Sequence, residues 1–262
     1  ANMTEVARAA TSVQDAAGPE AVAFSNLLLG TVLTRETMSP GQRVQASIRD
    51  TNGGQLFADS HPGGLTRGVI TRPQHHDRVV PGQGSMLRVA RKLYRGELHE
   101  SLVAIADNGE VSETFMQYMQ ASEQVTSFVN LMTEVGEDGV TLCGGFIVQL
   151  LPEVTREALE KLTEQMEGLT DFQSLMRDQR ADPAALMERI MAPFDHEVLD
   201  HSALFHGCTC SEARMLAAVV SIGRAEIQSI VDDGEPIQIA CDYCKTNYEL
   251  HPHQLQALME VS

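Results

Sequence analysis

The spacing of hydrophobic positions divides the chain into three stretches. Residues 1–153 combine one long apolar run with short runs that turn-forming residues separate. In residues 154–204 the apolar positions recur every three or four residues, whereas residues 205–262 mix short segments of both kinds between pairs of cysteines. The pattern predicts an α+β protein with a core of helix and antiparallel sheet, a helical linker and a small C-terminal cysteine-bearing domain.

The first stretch begins with a predicted buried helix and continues into short strands. "GPEAVAFSNLLLGTVL" opens on Gly18-Pro19, which favours a helix start, and is apolar nearly all round. The segments "VQASIRD", "QLFADS" and "RGVITRP" have strand-like composition and are separated by Asn-Gly-Gly and Pro-Gly-Gly turns. We therefore expect antiparallel strands here.

Two later segments of the core stretch carry further strand predictions. In "LVAIADNGEVSETF", Asn108-Gly109 lies between two strand-like runs and predicts a type I′ hairpin. The run "VTLCGGFIVQLLP", from Val140 to Pro152, predicts a buried strand with a close backbone approach at Gly144-Gly145.

The middle stretch predicts two capped helices. Thr155 can cap "REALEKLTEQMEG", which Gly168 is placed to end, and Asp182-Pro183 begins a second helix. The apolar positions of these helices are Leu159, Leu162, Met166 and Leu169, followed by Leu186, Met187, Ile190 and Met191. Four of the twelve methionines fall between Met166 and Met191. Flexible thioethers suit promiscuous apolar surfaces, but they also pack ordinary cores, and the sequence leaves both interpretations open.

Composition and charge narrow the class of function. Apolar residues make up 43% of the chain, no run approaches the length of a membrane span, and the N-terminus lacks a signal-peptide pattern. We therefore expect a cytoplasmic protein without a membrane partner. The formal charge of −17 would repel a nucleic-acid backbone, so we expect no nucleic-acid partner.

Four of the five cysteines occur in two closely spaced pairs, C-x-C and C-x-x-C. Permanent disulfides are disfavoured in an intracellular chain. A thioredoxin-like dithiol would use only "CDYC", after a strand and at the start of a helix, and would leave the first pair unexplained. A tetrahedral zinc site accounts for all four, so we predict that one Zn²⁺ per chain is bound by Cys208, Cys210, Cys241 and Cys244.

Other candidate ligands are less suited to the metal. His206, His251 and His253 flank the cysteines, but four thiolates already complete a tetrahedral shell, so we interpret these histidines as solvated. Cys143 lies in an apolar run beside two glycines and is interpreted as a small buried hydrophobic residue.

The segment between the cysteine pairs predicts a small fold that depends on the metal. It contains a Ser211-capped helix, a second helix from Arg224 to Val231, an Asp233-Gly234 turn and a strand that "YEL" can pair with. So short a segment buries little apolar area, and metal binding would hold it together. A saturated Cys₄ site has no open position for catalysis, whereas oxidation of its thiolates would expel the metal.

These residues resemble the heat-shock protein 33 family of redox-regulated holdase chaperones. The resemblance rests on "CTCS", "GEPIQIACDYC" and "TNYEL", and upstream on "GLTRGVITRP", "YMQASEQVTSFV" and "GGFIVQLLPEV", so it covers nearly the whole chain. The chain departs from the family pattern at its start, where "ANMTEV" is not preceded by the strand that members usually carry.

The resemblance implies a stress-response chaperone whose thiolates bind zinc in the reduced, inactive state. Oxidation would convert them to disulfides, Cys208 with Cys210 and Cys241 with Cys244, and release zinc. The linker would then lose structure and bind unfolding clients without ATP, commonly from a homodimer. Its client-binding residues would be the apolar positions Leu159, Leu162, Met166, Leu186, Met187, Ile190 and Met191.

This interpretation predicts a binding protein rather than an enzyme, and two alternative functions remain. A thiol-disulfide oxidoreductase using Cys241 and Cys244 would reduce insulin catalytically. A zinc-ribbon nucleic-acid module would bind oligonucleotides strongly and with salt sensitivity, although residues 205–262 carry three basic residues against eight acids.

Overall fold

The structure is a computed structural model that describes residues 1–92, 97–168, 172–178 and 182–261, with side chains through 257. Its contacts divide the chain into two compact units, Ala1–His206 and Gly207–Ser262. The predicted helical linker falls within the first unit, and the division of the chain into three functional domains stays a prediction.

The first unit is organised around one long buried helix, α2 (Gly18–Glu36). Pro19 occupies its first turn, as the sequence predicts, and its side chains are buried nearly all round. The helix packs against strands of both sheets of this unit. A shorter helix, α1 (Thr4–Val13), buries Val6 and Ala10 beside it.

A six-stranded sheet lies against α2, and its order is β5-β4-β1-β2-β3-β8. The neighbouring strands are antiparallel except β3 and β8, which are parallel. The strands are β1 (Val44–Arg49), β2 (Gln55–Ser60), β3 (Leu65–Thr71), β4 (Met86–Lys92), β5 (Leu98–Ala104) and β8 (Phe205–His206). The first three segments match the sequence prediction closely.

A second sheet consists of two long antiparallel strands, β6 (Ser127–Gly136) and β7 (Gly139–Gln149). The predicted close approach is confirmed at Gly145, where a Cβ atom would lie 2.1 Å from the carbonyl oxygen of Asn130. The sequence prediction included β7 but did not include β6.

The predicted hairpin around Asn108-Gly109 is wrong. Gly109 does adopt a positive φ of 76°, but the turn leads from β5 into a helix, α3 (Val111–Tyr118). The helix buries Val111, Phe115 and Tyr118, whose spacing of three to four residues is helical rather than alternating. Burial of this face against the core outweighs the local preference for a hairpin.

In the described part of residues 154–204 the helices are α4 (Arg156–Gly168), α5 (Phe172–Asp178) and α6 (Pro183–Met191). Both predicted caps are confirmed, since Thr155 Oγ1 accepts from the amide of Ala158 at 3.2 Å and Asp182 Oδ1 from that of Ala184 at 3.3 Å. Helix α5 was not predicted, and Leu169 lies outside the described residues.

The second unit contains three helices and a two-stranded antiparallel sheet. They are α7 (Glu212–Val219), α8 (Arg224–Asp233), β9 (Ile237–Ala240), β10 (Asn247–Leu250) and α9 (Pro252–Val261). The predicted Ser211 cap, the turn at Gly234 and the pairing of β9 with β10 are all confirmed. Among the side chains that the structure describes, the buried apolar cluster of this unit is small. It consists of Val219, Ile227, Leu250 and Leu255, and partly buried hydrophobic residues pack against it.

Within the described part of the chain, no helix has the length and apolar character needed to cross a membrane.

Candidate metal centre

Four cysteine side chains of the second unit converge on one point. Cys208 and Cys210 precede α7, whereas Cys241 and Cys244 lie between β9 and β10. All four Sγ atoms lie within 4.8 Å of one another. Two Sγ–Sγ separations cross between the pairs, at 3.7 Å from Cys208 to Cys241 and 3.4 Å from Cys210 to Cys244.

The spacing of the sulfur atoms fits a tetrahedral metal ion. With a Zn–S distance of about 2.3 Å, the edges of a regular S₄ tetrahedron are about 3.8 Å long. A disulfide would require an S–S distance of about 2.05 Å, and none of the five cysteines forms a disulfide in this structure. The four residues that the sequence singled out therefore form one cluster that could hold a metal ion.

The turn between β9 and β10 presents the second cysteine pair. The amide of Lys245 donates to the carbonyl of Cys241 at 2.8 Å, and the amide of Cys241 donates to the carbonyl of Thr246 at 2.9 Å. Lys245 itself has a positive φ of 58°, which turns the chain back sharply. These hydrogen bonds hold Cys241 and Cys244 on the same side of the turn.

Two hydroxyl groups lie beside the cluster. The hydroxyl of Tyr248 donates to Cys210 Sγ at 3.1 Å, and the Thr246 oxygen lies 3.2 Å from Cys244 Sγ. The sequence interpretation gave these hydroxyls no role in the site. A tyrosine and a threonine two to four residues after a C-x-x-C pair are the only signal for them.

The clustered thiols shift one another's pKa values strongly. Tyr248 lowers the pKa of the Cys210 thiol, but burial and the three neighbouring thiols outweigh it and raise that pKa to about 12. Burial raises the pKa of the Cys244 thiol, but hydrogen bonds from Thr246 and the adjacent thiols outweigh it and lower that pKa to about 6. Burial also raises the pKa of Cys241. One thiolate thus discourages its neighbours from ionising, and a divalent cation would relieve that repulsion.

The histidines that flank the cysteines are not part of this cluster. His206 is half-buried in the first unit, where burial lowers its pKa. In the second unit, His251 stacks on His253 with ring centroids 5.6 Å apart, and its Nε2 lies 3.6 Å from a carboxylate oxygen of Glu249.

Cys143 is separate from the other cysteines and lies on β7. Its side chain is fully buried, and burial raises the pKa of its thiol to about 12. A protonated, inaccessible thiol is consistent with the structural role that the sequence indicated.

The surroundings of "CDYC" differ from those of a thioredoxin-like dithiol. The motif does follow a strand, β9, but it leads through a turn into β10 rather than opening a helix. It therefore lacks the helix N-terminus that would stabilise a nucleophilic thiolate. This arrangement disfavours the oxidoreductase alternative.

The apolar residues predicted to bind clients do not form one exposed surface. Leu162, Leu186 and Ile190 are buried, Leu159 is exposed, and the remainder, Met166, Met187 and Met191, are half-buried.

Instead, the helical segment covers an apolar face of the second sheet. Leu186 of α6 forms a buried cluster with Met132 of β6 and with Phe172 and Met176 of α5. The ring of Phe172 meets Phe146 of β7 edge to face, with centroids 5.3 Å apart. Sequence reasoning missed the strand side of this cluster because it did not identify β6.

The fold and the cysteine cluster agree with the outcome of a family comparison. A model of the family described as Hsp33 protein matches residues 1–251. The chain belongs to the Hsp33 family. This bears out the resemblance seen in the sequence.

Proteins named 33 kDa chaperonin resemble the chain over 58% to 98% of its length. The 33 kDa chaperonin of Thermodesulfovibrio yellowstonii is 27% identical and aligns with 98% of this chain and 92% of its own. That of Lachnoclostridium phytofermentans is 34% identical over 58% of this chain and 52% of its own. The crystal structure of the 33 kDa chaperonin from Thermotoga maritima has the same fold, with a TM-score of 0.83 at 22% identity, covering 98% of this chain and 91% of its own.

Proposed function

We propose that this protein is a redox-regulated, ATP-independent holdase that binds unfolding client proteins in the cytoplasm. The observation that carries the proposal is the convergence of Cys208, Cys210, Cys241 and Cys244 within 4.8 Å. Membership of a family whose relatives are named chaperonins supports the binding of unfolded chains.

In the reduced state the four thiolates would hold one Zn²⁺, which supplies no catalysis but cross-links the start of the second unit to its β9–β10 turn. The small core of the second unit supports this role, since four buried apolar side chains and the partly buried ones around them contribute little stability alone. The hydroxyl of Tyr248 would stabilise the Cys210 thiolate in that state.

Oxidation of the cysteines would remove the metal cross-link. One peroxide molecule takes two electrons from two thiols, which form a disulfide and lose two protons, while the peroxide becomes two water molecules. Two such reactions consume all four cysteines and leave no thiolate for the metal. We propose the pairs Cys208–Cys210 and Cys241–Cys244, as the family resemblance implies.

Client binding would use the apolar face that the helical segment now covers. If α5 and α6 lose structure, Met132 and Phe146 on the sheet become accessible together with Phe172 and Leu186 on the helices. Contiguous apolar surface of this kind binds unfolded chains without nucleotide hydrolysis. We further propose that the active form is a homodimer and that no turnover of substrate takes place.

The direct test is light scattering by a thermally unfolding client. We expect the peroxide-treated protein to suppress aggregation and the reduced, zinc-loaded protein to leave it unchanged. Equal protection by both forms would contradict redox regulation.

A paired measurement tests the chemistry of the site. Zinc release and thiol loss are followed together during a peroxide titration, and we expect one zinc for every four thiols. Catalytic insulin reduction would instead support the oxidoreductase alternative.

A further inference from the structure

Two methionines of the helical segment line a cavity between α6 and the second sheet. Met187 and Met191 are about one helical turn apart on α6. Both line a cavity of about 420 Å³ between this helix and β7, together with Phe146, Ile147 and Ile190. Met191 also lines a neighbouring cavity of about 360 Å³ beside α4. Part of the methionine-rich pattern of the sequence therefore lies where the helix meets the strand.

The methionines around this sheet differ in how far solvent reaches them. Met187 and Met191 are half-buried and border the cavity, whereas Met176 of α5 and Met132 of β6 are buried. A small oxidant can therefore reach the first two side chains while the segment is still packed on the sheet. The cavity also leaves room for an added oxygen atom.

Oxidation of methionine by peroxide is a two-electron step. A lone pair on the sulfur attacks one peroxide oxygen, an S–O bond forms as the O–O bond breaks, and the other oxygen leaves as water. The thioether is oxidised to a sulfoxide and the peroxide is reduced. The oxidant that the proposed function requires for the cysteines thus also modifies accessible methionines.

A sulfoxide at either position would weaken the packing of α6 on the sheet. It places a strong dipole against Phe146, Ile147 and Ile190, whose side chains offer no hydrogen bond. Reduction of disulfides and return of zinc do not remove the added oxygen, because thiol reagents that reduce disulfides act slowly on sulfoxides. The effect would therefore outlast the cysteine chemistry.

We propose that Met187 and Met191 are oxidation sites whose sulfoxides keep part of the apolar face exposed after the cysteines have been reduced and zinc has returned. Full closure then requires a methionine sulfoxide reductase, which restores the thioether. The proposal rests on the proposed function and adds to it a second group of oxidant-sensitive side chains, none of which is a metal ligand.

The test takes full-length protein through one cycle of oxidation and recovery. Zinc-loaded protein is treated with excess peroxide, its disulfides are reduced with dithiothreitol, and zinc is added back. Peptide mass spectrometry locates the sulfoxides, and an apolar fluorescent dye reports exposed surface. We expect sulfoxides at Met187 and Met191 and dye binding several-fold above that of untreated protein. Absence of sulfoxide at both positions would overturn the proposal.

Matched substitutions assign the effect to these two residues. The double variant Met187→Leu/Met191→Leu keeps the apolar volume but cannot form a sulfoxide, so its dye binding should return to the untreated level after recovery. The control is Met86→Leu, at a half-buried position on β4 that lines neither cavity, and it should behave like wild type. All three proteins carry the same cysteines, so incomplete thiol recovery affects them alike. Equal dye binding by wild type and the double variant would overturn the proposal.

Wild-type protein provides a test that depends on no substitution. The recovered protein is incubated with methionine sulfoxide reductases A and B, one for each sulfoxide epimer, together with their reductant. We expect dye binding to fall to the untreated level while the zinc content stays unchanged. Dye binding that stays high would refute the proposal, whereas failure of oxidised protein to protect clients would refute only the proposed function.

Discussion

At the scale of single residues, the cysteines depend on neighbours that are not themselves ligands. Tyr248 extends from β10 and donates its hydroxyl hydrogen to Cys210 Sγ. Hydrogen bonds to ligand atoms stabilise the charged form and orient it, and their loss commonly weakens metal binding by about 10- to 100-fold. This tyrosine is therefore part of the candidate metal centre.

The substitution Tyr248→Phe removes that hydrogen bond while preserving the ring. We expect zinc affinity to fall about tenfold, because the Cys210 thiolate loses its donor. Competition with a chromogenic chelator under reducing conditions measures this. Ser221→Ala is a suitable control, since it deletes a hydroxyl in the same unit that donates to the carbonyl of Ala218. An unchanged affinity in Tyr248→Phe would remove the tyrosine from the site.

The fifth cysteine should behave differently from the other four. Burial keeps the pKa of Cys143 near 12, so its thiol stays protonated at neutral pH, and oxidants react with thiolates. We expect Cys143 to remain reduced when peroxide has oxidised the cluster. Differential alkylation followed by mass spectrometry locates the modified thiols, and early oxidation of Cys143 in folded protein would contradict this.

At the scale of elements, the helical segment α4–α6 packs on the second sheet through a small buried cluster. We expect it to detach more easily than the rest of the first unit. Its buried cluster is separate from the main core and, among the described residues, contains four buried side chains, Met132, Phe172, Met176 and Leu186. Helices as short as α5 and α6 are unstable without tertiary packing. Small losses of packing should therefore release them before the rest of the first unit.

Two leucine-to-alanine substitutions in this segment distinguish the effect of lost packing from the effect of the residue change itself. Leu186→Ala removes a side chain that is only 2% exposed and should weaken the attachment of α6 by about 2–5 kcal/mol. Leu159→Ala makes the same change at a position that is 36% exposed and should cost less than about 0.5 kcal/mol. Hydrogen exchange of residues 172–191 in reduced protein measures both, and equal effects would contradict the packing shown by the structure.

The elements also show which parts of the secondary structure local sequence patterns can predict. Cap residues and turn chemistry located α2, α4, α6 and α7 because these signals act over a few neighbouring residues. The same local signals misled at Asn108-Gly109, where the chain does turn but Asn108 lacks the positive φ of a type I′ turn and the following segment is helical. Burial of Phe115 against the core decided that segment, and a turn motif contains no information about such packing.

At the scale of the whole molecule, the two units differ in what stabilises them. The first unit has an extensive core around α2, whereas the second has a few buried side chains and the cysteine cluster. Metal binding in small zinc domains is worth about 10–16 kcal/mol, which exceeds what such a core contributes. The second unit should therefore fold only with its metal.

Removal of the metal tests this difference. We expect a strong chelator under reducing conditions to abolish exchange protection in residues 207–262 while residues 1–150 retain theirs. Readdition of zinc should restore the lost protection, which distinguishes unfolding from damage. A second unit that remained protected without metal would contradict the dependence.

The sequence alone determined the family, the four cysteines and most local elements, because spacing motifs, caps and turns depend on residues close together in the chain. The tertiary structure decided what those residues do together. It brought the two cysteine pairs to tetrahedral spacing, placed Leu186 against β6, and set the carbonyl of Ala203 over Gly64. Each of these contacts joins residues more than thirty positions apart, and such contacts follow from packing of the whole chain rather than from any local pattern.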